Sequence, residues 1–304
     1  MPLRIRMPAL ALLGGIKAFF IRSTFTPLSL SPALWLDAAD SSTITQASGL
    51  VSQWNDKSGN GRNVTQSDNA RRPSTNATTL NGLNVLSSGG GKTLFNSSAA
   101  MFRAIGGGAL FIVARSGTAV AAGGDVFTYI VTPLPNTRFG LFQTVNSTAL
   151  GGRRLNSDTF QQITSPNNTS NQNVLASALV DYQNTTATLF NNGTQVVQST
   201  TFQTAGVTSN DGGALYVFGD VGFGQTLTGI IAEIIYLEYL PTTTQRQLVE
   251  GYLAWKWGLQ ASLPVGHPYK IINPNGWNRT TPWIKIGGVW KQATPFIKVS
   301  GTWK

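Results

Sequence analysis

Three glutamates, Glu233, Glu238 and Glu250, bear on whether this chain could hydrolyse a glycosidic bond. Retaining hydrolysis needs two carboxyl groups about 5–5.5 Å apart, one acting as the acid and one as the nucleophile. Glu233 and Glu238 stand an odd number of positions apart in a predicted strand, which puts their side chains on opposite faces. Glu250 falls in a predicted helix. The spacing therefore predicts no glycosidase pair.

His267 is the only histidine of the chain, and cysteine is absent. A Ser-His-Asp triad would have to use His267, which lies in the loop Pro264–Pro268. Thiol nucleophiles, thiolate metal sites and disulfides are excluded. The sequence has no phosphate-binding glycine loop and no histidine cluster. We expect a structural or solvent-exposed histidine, and a protein that is not an enzyme.

Asp56, Ser58 and Asn60 alternate ahead of Gly61 and offer three oxygen-bearing side chains. Oxygen ligands at alternating positions are typical of calcium loops, so Ca²⁺ is the cofactor that this sequence suggests. Only one of the three positions is a carboxylate, and no closing carboxylate follows. The alternative, which we favour, is a turn in which Asp56 and Asn60 bond to their own backbone.

The end of the chain carries one pattern twice, in residues 281–291 and 294–304. Each copy is predicted to form a β-hairpin, with its turn at Gly287-Gly288 or Ser300-Gly301. An isolated hairpin is marginally stable in water, so two tandem aromatic and basic hairpins indicate docking on a partner or on sister copies. The predicted partner-binding residues are Trp283, Lys285, Trp290, Lys291, Phe296, Lys298, Trp303 and Lys304.

The net charge of +10 arises at the two ends of the chain. Residues 1–31 and 255–304 contain basic residues and no acidic ones, whereas the middle is close to neutral. Basic ends indicate an acidic partner, for which a protein surface is our first expectation. The basic residues form no dense block, so we expect no nucleic acid. No apolar run reaches the roughly 18 residues of a membrane span, and the N-terminal run is too interrupted for a secretion signal.

The elements that must position these residues are mostly strands. Short apolar runs separated by Gly, Asn and Ser clusters recur through residues 33–237 and predict an all-β sandwich or jelly roll. Residues 242–257 carry apolar side chains at helical spacing ahead of Gly258, which predicts one amphipathic helix. The turn Asn191-Asn192-Gly193 predicts a hairpin, and we expect the long polar loop 163–173 at an edge of the sandwich.

Four segments together carry a resemblance to a known family. Residues 33–38, 54–61, 229–235 and 249–258 occur in the order and pattern of the concanavalin A-like lectin/glucanase domain of the laminin G-like type. Tailed-phage and bacterial surface proteins carry such domains. The resemblance covers about residues 32–270 and implies a two-sheet jelly roll, often with carbohydrate binding but without one fixed ligand site. The terminal hairpins resemble elements at the ends of phage virion proteins.

These observations divide the chain into an N-terminal anchoring arm (1–31), a sandwich (32–270) and a hairpin tail (271–304). The first hypothesis is a phage virion structural protein at the virion surface, serving as capsid decoration, head fibre or tail-associated adhesin. Its partners would be other virion proteins, capsid or tail, sister copies in a homo-oligomer, and a host-surface glycan. The alternative is a carbohydrate-binding module of a secreted or surface protein. A glycoside hydrolase is the third hypothesis.

Overall fold

The computed structural model describes residues 20–22, 24–117, 125–132, 136–144, 146–220, 224–275, 277–279, 283–286, 289–292, 298–299 and 302–303. These residues fall into two compact units. One lies within Phe25–Pro274, and the other combines residues from both chain ends, within Met1–Thr24 and Asn275–Lys304.

The described residues are mostly β-strand, with one α-helix, α1 (Thr243–Trp257), and short 3-10 helices at Pro27–Leu30, Ser41–Thr43, Asn69–Arg71 and Gln260–Ser262. In chain order the strands are β1 (Phe20–Arg22), β2 (Leu34–Asp37), β3 (Ile44–Ala47), β4 (Leu50–Trp54), β5 (Val64–Thr65), β6 (Thr79–Leu80), β7 (Leu83–Asn84), β8 (Leu86–Gly89), β9 (Leu94–Asn96), β10 (Gly107–Ser116), β11 (Asp125–Thr132), β12 (Asn136–Thr144), β13 (Ser147–Gly152), β14 (Gln161–Thr164), β15 (Val174–Asp181), β16 (Thr186–Asn191), β17 (Thr194–Ser199), β18 (Ala214–Val217), β19 (Gly219–Asp220), β20 (Gln225–Thr226), β21 (Thr228–Leu237), β22 (Trp277–Arg279), β23 (Trp283–Ile286), β24 (Val289–Gln292), β25 (Lys298–Val299) and β26 (Thr302–Trp303).

Two antiparallel sheets form the body. Over the described residues, the first sheet has seven strands in the order β17-β16-β15-β10-β21-β2, with β8 also paired to β21. The second has nine, in the order β14-β13-β12-β11-β18-β9-β5-β4-β3. Smaller pairs join β1 to β22, β6 to β7, and β19 to β20.

Strand β10 shows how the layers pack. Leu110 and Ile112 point into the apolar core between the two sheets, and Phe111 and Val113 point into a second core beneath α1. Both faces of the first sheet are therefore covered, which explains why the β10 sequence is almost continuously apolar instead of alternating. The body is a sandwich with a helix packed on one side.

The helix α1 is fixed at both ends by its own sequence. Thr242 and Gln245 form a reciprocal capping box at the N-terminus, and Gly258 ends the helix at φ 75°. Val249 and Leu253 are fully buried against the first sheet. No helix in the described part of the chain is long and apolar enough to cross a lipid bilayer.

The sequence prediction of an all-β concanavalin A-like jelly roll with one amphipathic helix is confirmed. One prediction of an element was wrong. The apolar side chains of Leu83, Val85 and Leu86 predict one strand over residues 83–86, but β7 ends at Asn84 and β8 begins at Leu86. The Asn84 amide donates to Ala38 O at 2.8 Å and accepts from the Asn76 N–H, so this side chain ties two loops together where the strand breaks.

Candidate functional site

A polar pocket of about 260 Å³ lies at one end of the first sheet. We call it the amide pocket, because most of its lining side chains are amides or hydroxyls. The loop before β15, the β16–β17 hairpin and the short helix after α1 supply its walls. The lining residues are Asn167, Asn168, Thr169, Gln172, Val174, Asn191, Asn192, Thr194, Val196 and Ser262.

The loop wall is anchored by Thr169, which is buried although it lies in a surface loop. Its hydroxyl accepts from the Thr148 N–H at 2.9 Å and donates to Gln143 Oε1 at 3.1 Å. The Thr169 N–H donates to Asn146 O, and Asn168 accepts from the Ser170 N–H within the loop. The pocket wall is therefore pre-organised by hydrogen bonds to β12 and β13.

The hairpin wall depends on a left-handed turn. Asn192 and Gly193 take φ values of 50° and 76°, as a two-residue hairpin turn requires. Asn192 Oδ1 accepts from the Leu175 N–H at 3.0 Å, which fixes the turn to the start of β15. The predicted Asn191-Asn192-Gly193 turn is confirmed, and it forms one side of the amide pocket.

Asn191 has an unusual environment within the pocket. It is the last residue of β16, and its side chain is 8% exposed. Its Nδ2 donates to Ser165 Oγ at 3.3 Å, whereas its buried Oδ1 has no hydrogen-bond partner among the described residues. An unpaired buried acceptor costs about 1–3 kcal/mol.

A buried ionic group lies behind the hairpin turn. His267 Nε2 lies 3.2 Å from Glu250 Oε2, and Arg246 contacts both Glu250 oxygens at 2.6–2.7 Å. Because the Tyr269 N–H donates to His267 Nδ1, the histidine proton lies on Nε2 and faces the glutamate. A Cβ on Gly193 would lie 3.1 Å from His267, so this group sits directly behind the turn. The expectation of a structural histidine agrees with this geometry.

Glu233 is fully buried between α1 and the first sheet. It accepts hydrogen bonds from Trp35 Nε1 at 2.7 Å, Tyr252 OH at 3.0 Å, Lys256 Nζ at 2.7 Å and Trp257 Nε1 at 2.8 Å. Burial raises the pKa of Glu233, and Lys256 acts in the opposite direction. All its acceptor positions face protein donors, so this carboxylate fastens the helix to the sheet.

Asp37 stands directly opposite Glu233 on the neighbouring strand β2. Lys256 bridges the two carboxylates, with its Nζ 2.6 Å from Asp37 Oδ1. Lys57 binds the other Asp37 oxygen at 2.9 Å and Asp40 at 2.7 Å. Two like charges in register would repel each other. The two lysines compensate that repulsion, and the set forms a buried ionic network.

The Asp56 loop is held by hydrogen bonds within the loop and to the backbone of residues 32–35. Asp56 Oδ1 accepts from the N–H groups of Trp35 and Ser58, and Oδ2 accepts from Ser58 Oγ and the Arg62 N–H. The Asn60 amide donates to Pro32 O and Ala33 O. Each Asp56 oxygen already meets two donors, which agrees with the favoured turn at Asp56 and does not fit a cation well, whereas Asn60 bonds to backbone outside the turn. Calcium binding by Asp56, Ser58 and Asn60 stays a prediction without support from this geometry.

A row of aromatic rings crosses the second sheet on the side away from the sandwich core. Phe95, Tyr216 and Tyr129 stand opposite one another on β9, β18 and β11, with ring centroids 6.0 and 5.1 Å apart and nearly parallel planes. Gly140 follows in register, and the Phe142 ring covers it. The faces of the rings pack against one another, which indicates that they stabilise the sheet and do not form a platform on which a ligand could stack.

The C-terminal repeats pair as two antiparallel ribbons. Trp283 is opposite Gln292, Lys285 is opposite Trp290, and Lys298 is opposite Trp303. Phe296, Lys304 and the two turns lie outside the described residues. The strand pairing agrees with the predicted hairpins. Partner binding by these residues stays a prediction.

None of the residues that line the amide pocket was predicted as a site from the sequence. The polar loop and the hairpin turn were predicted as separate features. In the structure Asn191 stands opposite Ala176, so the end of β16 meets the start of β15. A polar loop before one strand and a polar turn after the next strand of a hairpin necessarily meet at the same sheet end, and that signal was present in the sequence.

Comparison with known proteins supports the fold. No protein-family model and no curated protein sequence matches the chain. Among solved structures, the binding domain of Paraclostridial Mosquitocidal Protein 1 matches with a TM-score of 0.54 and 9% identity, over 74% of this chain and 53% of that one. The ligand binding domain of botulinum neurotoxin serotype D, in complex with N-acetylneuraminic acid, matches with a TM-score of 0.50 and 12% identity, over 74% and 52%. This chain spans about half the length of these structures, and at such identities the likeness shows the fold alone.

Proposed function

We propose that this protein is a non-enzymatic carbohydrate-binding module whose ligand occupies the amide pocket. The observation that carries the proposal is the pocket itself, whose walls are mostly amide and hydroxyl side chains with two valines. The likeness in fold agrees with it, because the botulinum neurotoxin ligand binding domain, about half of which matches this chain, was solved in complex with N-acetylneuraminic acid. This alternative from the sequence analysis now ranks above the virion hypothesis, which the comparisons do not support.

The chemistry of the walls suits a sugar. Sugars carry many hydroxyls that donate and accept, and amides such as Asn168 and Gln172 can do both. Val174 and Val196 add an apolar surface for the C–H groups of a pyranose ring. A site of this kind combines a few placed polar groups with apolar contacts, as small-molecule sites generally do.

The size of the pocket sets the expected affinity. At about 260 Å³ it lies just below the roughly 300–1,000 Å³ of pockets that bury drug-sized ligands, which suits one sugar residue. A hexose has about 12 heavy atoms, and about 0.3 kcal/mol per atom gives about 3.6 kcal/mol, a Kd in the millimolar range. Tight binding to a cell surface would therefore depend on several copies acting together.

The test is binding of the full chain to a glycan array, followed by titration of the best ligands up to tens of millimolar. We expect at least one glycan to bind and to perturb the NMR signals of the pocket amides. Thr194→Trp would fill the pocket from an exposed position, and Gln195→Trp on the same strand is its matched control. Loss of binding in the first variant alone supports the proposal. Absence of any glycan binding would refute it.

The non-enzymatic part of the proposal rests on the same residues. Glu233 and Glu238, whose spacing in the sequence was considered for hydrolysis, both have partners in the folded protein. Glu233 lies in the ionic network, and Glu238 accepts a hydrogen bond from the Phe102 N–H. Prolonged incubation of the protein with the glycan that it binds, followed by chromatography, should return the glycan intact. A hydrolysis product that disappears in Glu233→Gln would overturn this part.

A role at a virion surface is our second candidate function, and the paired C-terminal ribbons favour it. In this proposal the ribbons attach the module to other virion proteins or to sister copies, and a host glycan meets the amide pocket. Deleting residues 275–304 should abolish incorporation into particles while leaving the thermal unfolding of the sandwich unchanged. Particles that carry the truncated protein at normal levels would contradict it.

A further inference from the structure

Gln143 is a buried glutamine on β12 of the second sheet, outside the amide pocket. We infer that it is a positioning residue for the pocket: it holds Thr169, and through Thr169 the loop wall, in the arrangement that binds a glycan. This inference deepens the proposed function and rests on it. It assigns part of the glycan affinity to a side chain that the glycan does not touch.

The loop wall is the part of the pocket that crosses from one sheet to the other. It connects β14 of the second sheet to β15 of the first, and four lining side chains lie on it: Asn167, Asn168, Thr169 and Gln172. The hairpin wall, in contrast, is built by β16 and β17 of the first sheet. A crossing loop has no strand ladder along its length, so hydrogen bonds to its neighbours determine its shape. The opening of the pocket therefore depends on what joins the loop to the second sheet.

The side chains that make this connection are Gln143, Thr148, Thr169 and Ser170, which we call the Gln143 network. Gln143 and Thr148 stand opposite each other on β12 and β13. Thr169 Oγ1 donates to Gln143 Oε1 at 3.1 Å, accepts from the Thr148 N–H at 2.9 Å and lies 3.0 Å from Thr148 Oγ1. Gln143 Nε2 donates to Ser170 Oγ at 3.4 Å, so a single amide contacts two successive residues of the loop.

The contacts of Gln143 do not depend on which end of its amide is the oxygen. If the amide were turned over, Nε2 would donate to Thr169 Oγ1 and Oε1 would accept from Ser170 Oγ, because a hydroxyl both donates and accepts. The Thr148 N–H donates to Thr169 in either case. The network therefore fixes the loop to the second sheet in both orientations.

The burial of the network separates positioning from general stability. Gln143 and Thr148 are each 1% exposed, and Thr169 is 5% exposed. Apolar side chains of the same shape could replace both partners of a buried hydrogen bond at nearly equal stability. They would pack against the loop without specifying one arrangement of it, whereas a satisfied polar network does specify one. Loss of the network should therefore reduce glycan affinity more than it reduces the stability of the sandwich.

The experiment titrates the best glycan of the array against two variants of the full chain. Gln143→Met keeps the length and burial of the side chain and removes both contacts with the loop. If the loop wall then occupies the binding arrangement for about one tenth of the time, the apparent Kd rises about tenfold, which is the loss that we expect. Gln66→Met is the matched control, since Gln66 is 5% exposed and bonds to Thr93 O and the Asp68 N–H but does not line the pocket. It should leave the affinity unchanged.

Two further measurements distinguish positioning from a lost contact with the ligand. Hydrogen exchange of the Thr169 N–H, which donates to Asn146 O, should be faster in Gln143→Met and should slow again when the glycan is added. Adding Thr169→Val to Gln143→Met should weaken binding little further, because both changes remove the same hydrogen bond. Thr169→Ser keeps the hydroxyl and should bind like the unaltered chain.

The outcomes separate the two claims. Unchanged affinity in Gln143→Met, or an equal loss in Gln66→Met, overturns the inference while glycan binding stands. Failure of every glycan to bind the unaltered chain refutes the proposed function, and the inference falls with it. If Gln143→Met fails to fold, Thr169→Val and Thr169→Ser decide: weaker binding by Thr169→Val alone supports the inference, and equal binding by the two overturns it.

Discussion

Replacing Lys256 with methionine tests the buried ionic network most directly. Lys256 Nζ lies 2.6 Å from Asp37 and 2.7 Å from Glu233, and the side chain is 17% exposed. At an effective dielectric constant of about 20, each contact is worth about 6 kcal/mol before desolvation. Removing one partner of a buried pair costs about 3–5 kcal/mol, because the remaining charge is left uncompensated. We expect Lys256→Met to lose that much stability at pH 7.

The loss should depend on pH in a definite direction. Burial already raises the pKa of Glu233, and without Lys256 it rises further above the value of about 4.3 in the unfolded chain. A carboxyl group with a higher pKa in the folded state binds protons more tightly when folded, so the variant is penalised as the pH rises above that value. The deficit of Lys256→Met should therefore be larger at pH 7 than at pH 5.

The assay is urea unfolding of both proteins at pH 5 and pH 7. Lys92→Met is the matched control, since Lys92 Nζ donates to the Ala70 backbone carbonyl at an exposed site. The control should lose less than about 1 kcal/mol at either pH. A deficit below about 1 kcal/mol in Lys256→Met, or one that grows as the pH falls, would show that the network does not hold the helix in the way argued.

The remaining predictions concern the hairpin turn and the partly exposed ion pair of Lys57 and Asp40. Gly193→Ala should lose more stability in thermal unfolding than Gly82→Ala. Both glycines have φ near 75°, a backbone conformation that costs roughly 1–2 kcal/mol for a residue with a side chain. A Cβ at Gly193 would also meet His267 and Leu263, whereas a Cβ at Gly82 would meet nothing within 4 Å. Equal losses would exclude tight packing behind the turn. Hydrogen bonding to Lys57 lowers the pKa of Asp40 to about 2, so its stabilisation is complete above about pH 4 and is lost as the pH falls towards 2. Asp40→Asn should flatten the dependence of the unfolding free energy on pH between pH 2 and 5 by less than about 1 kcal/mol, since the pair is partly exposed and solvent screens it. An unchanged profile in urea unfolding would contradict the assignment.

Much of the fold was predictable from the sequence, because the residues that define its helix and its hairpin turn are local in the chain. The capping threonine, the apolar spacing and Gly258 define α1 without reference to the rest of the chain. The Asn-Gly turn likewise defines its hairpin. The break at Asn84 was missed because it depends on a hydrogen bond to Ala38, a partner that only the folded chain brings close.

The candidate site was predictable only in part, since it depends on which strands pair. The polar loop and the hairpin turn could both be predicted from the sequence. The contact between Asn191 of the hairpin and Ser165 of the loop could not, because residue spacing does not place them side by side. The roles of Glu233 and Lys256 were equally hidden, because helix and sheet had to be docked before their charges could meet. The local sequence thus indicates individual helices and strands. A site formed between them can be predicted only when the pairing and register of the strands are known.

The pairing of β2 with β21 has a consequence for how the protein forms. Trp35 and Glu233, which bond across these strands, are 198 positions apart in the chain. A growing polypeptide therefore releases its first sandwich strand long before the partner strand and the capping helix exist. Non-local strand pairing of this kind slows folding, since a long loop must close before the contacts form. During synthesis β2 remains without its partner strand, and the first sheet can be completed only after Leu237 has left the ribosome.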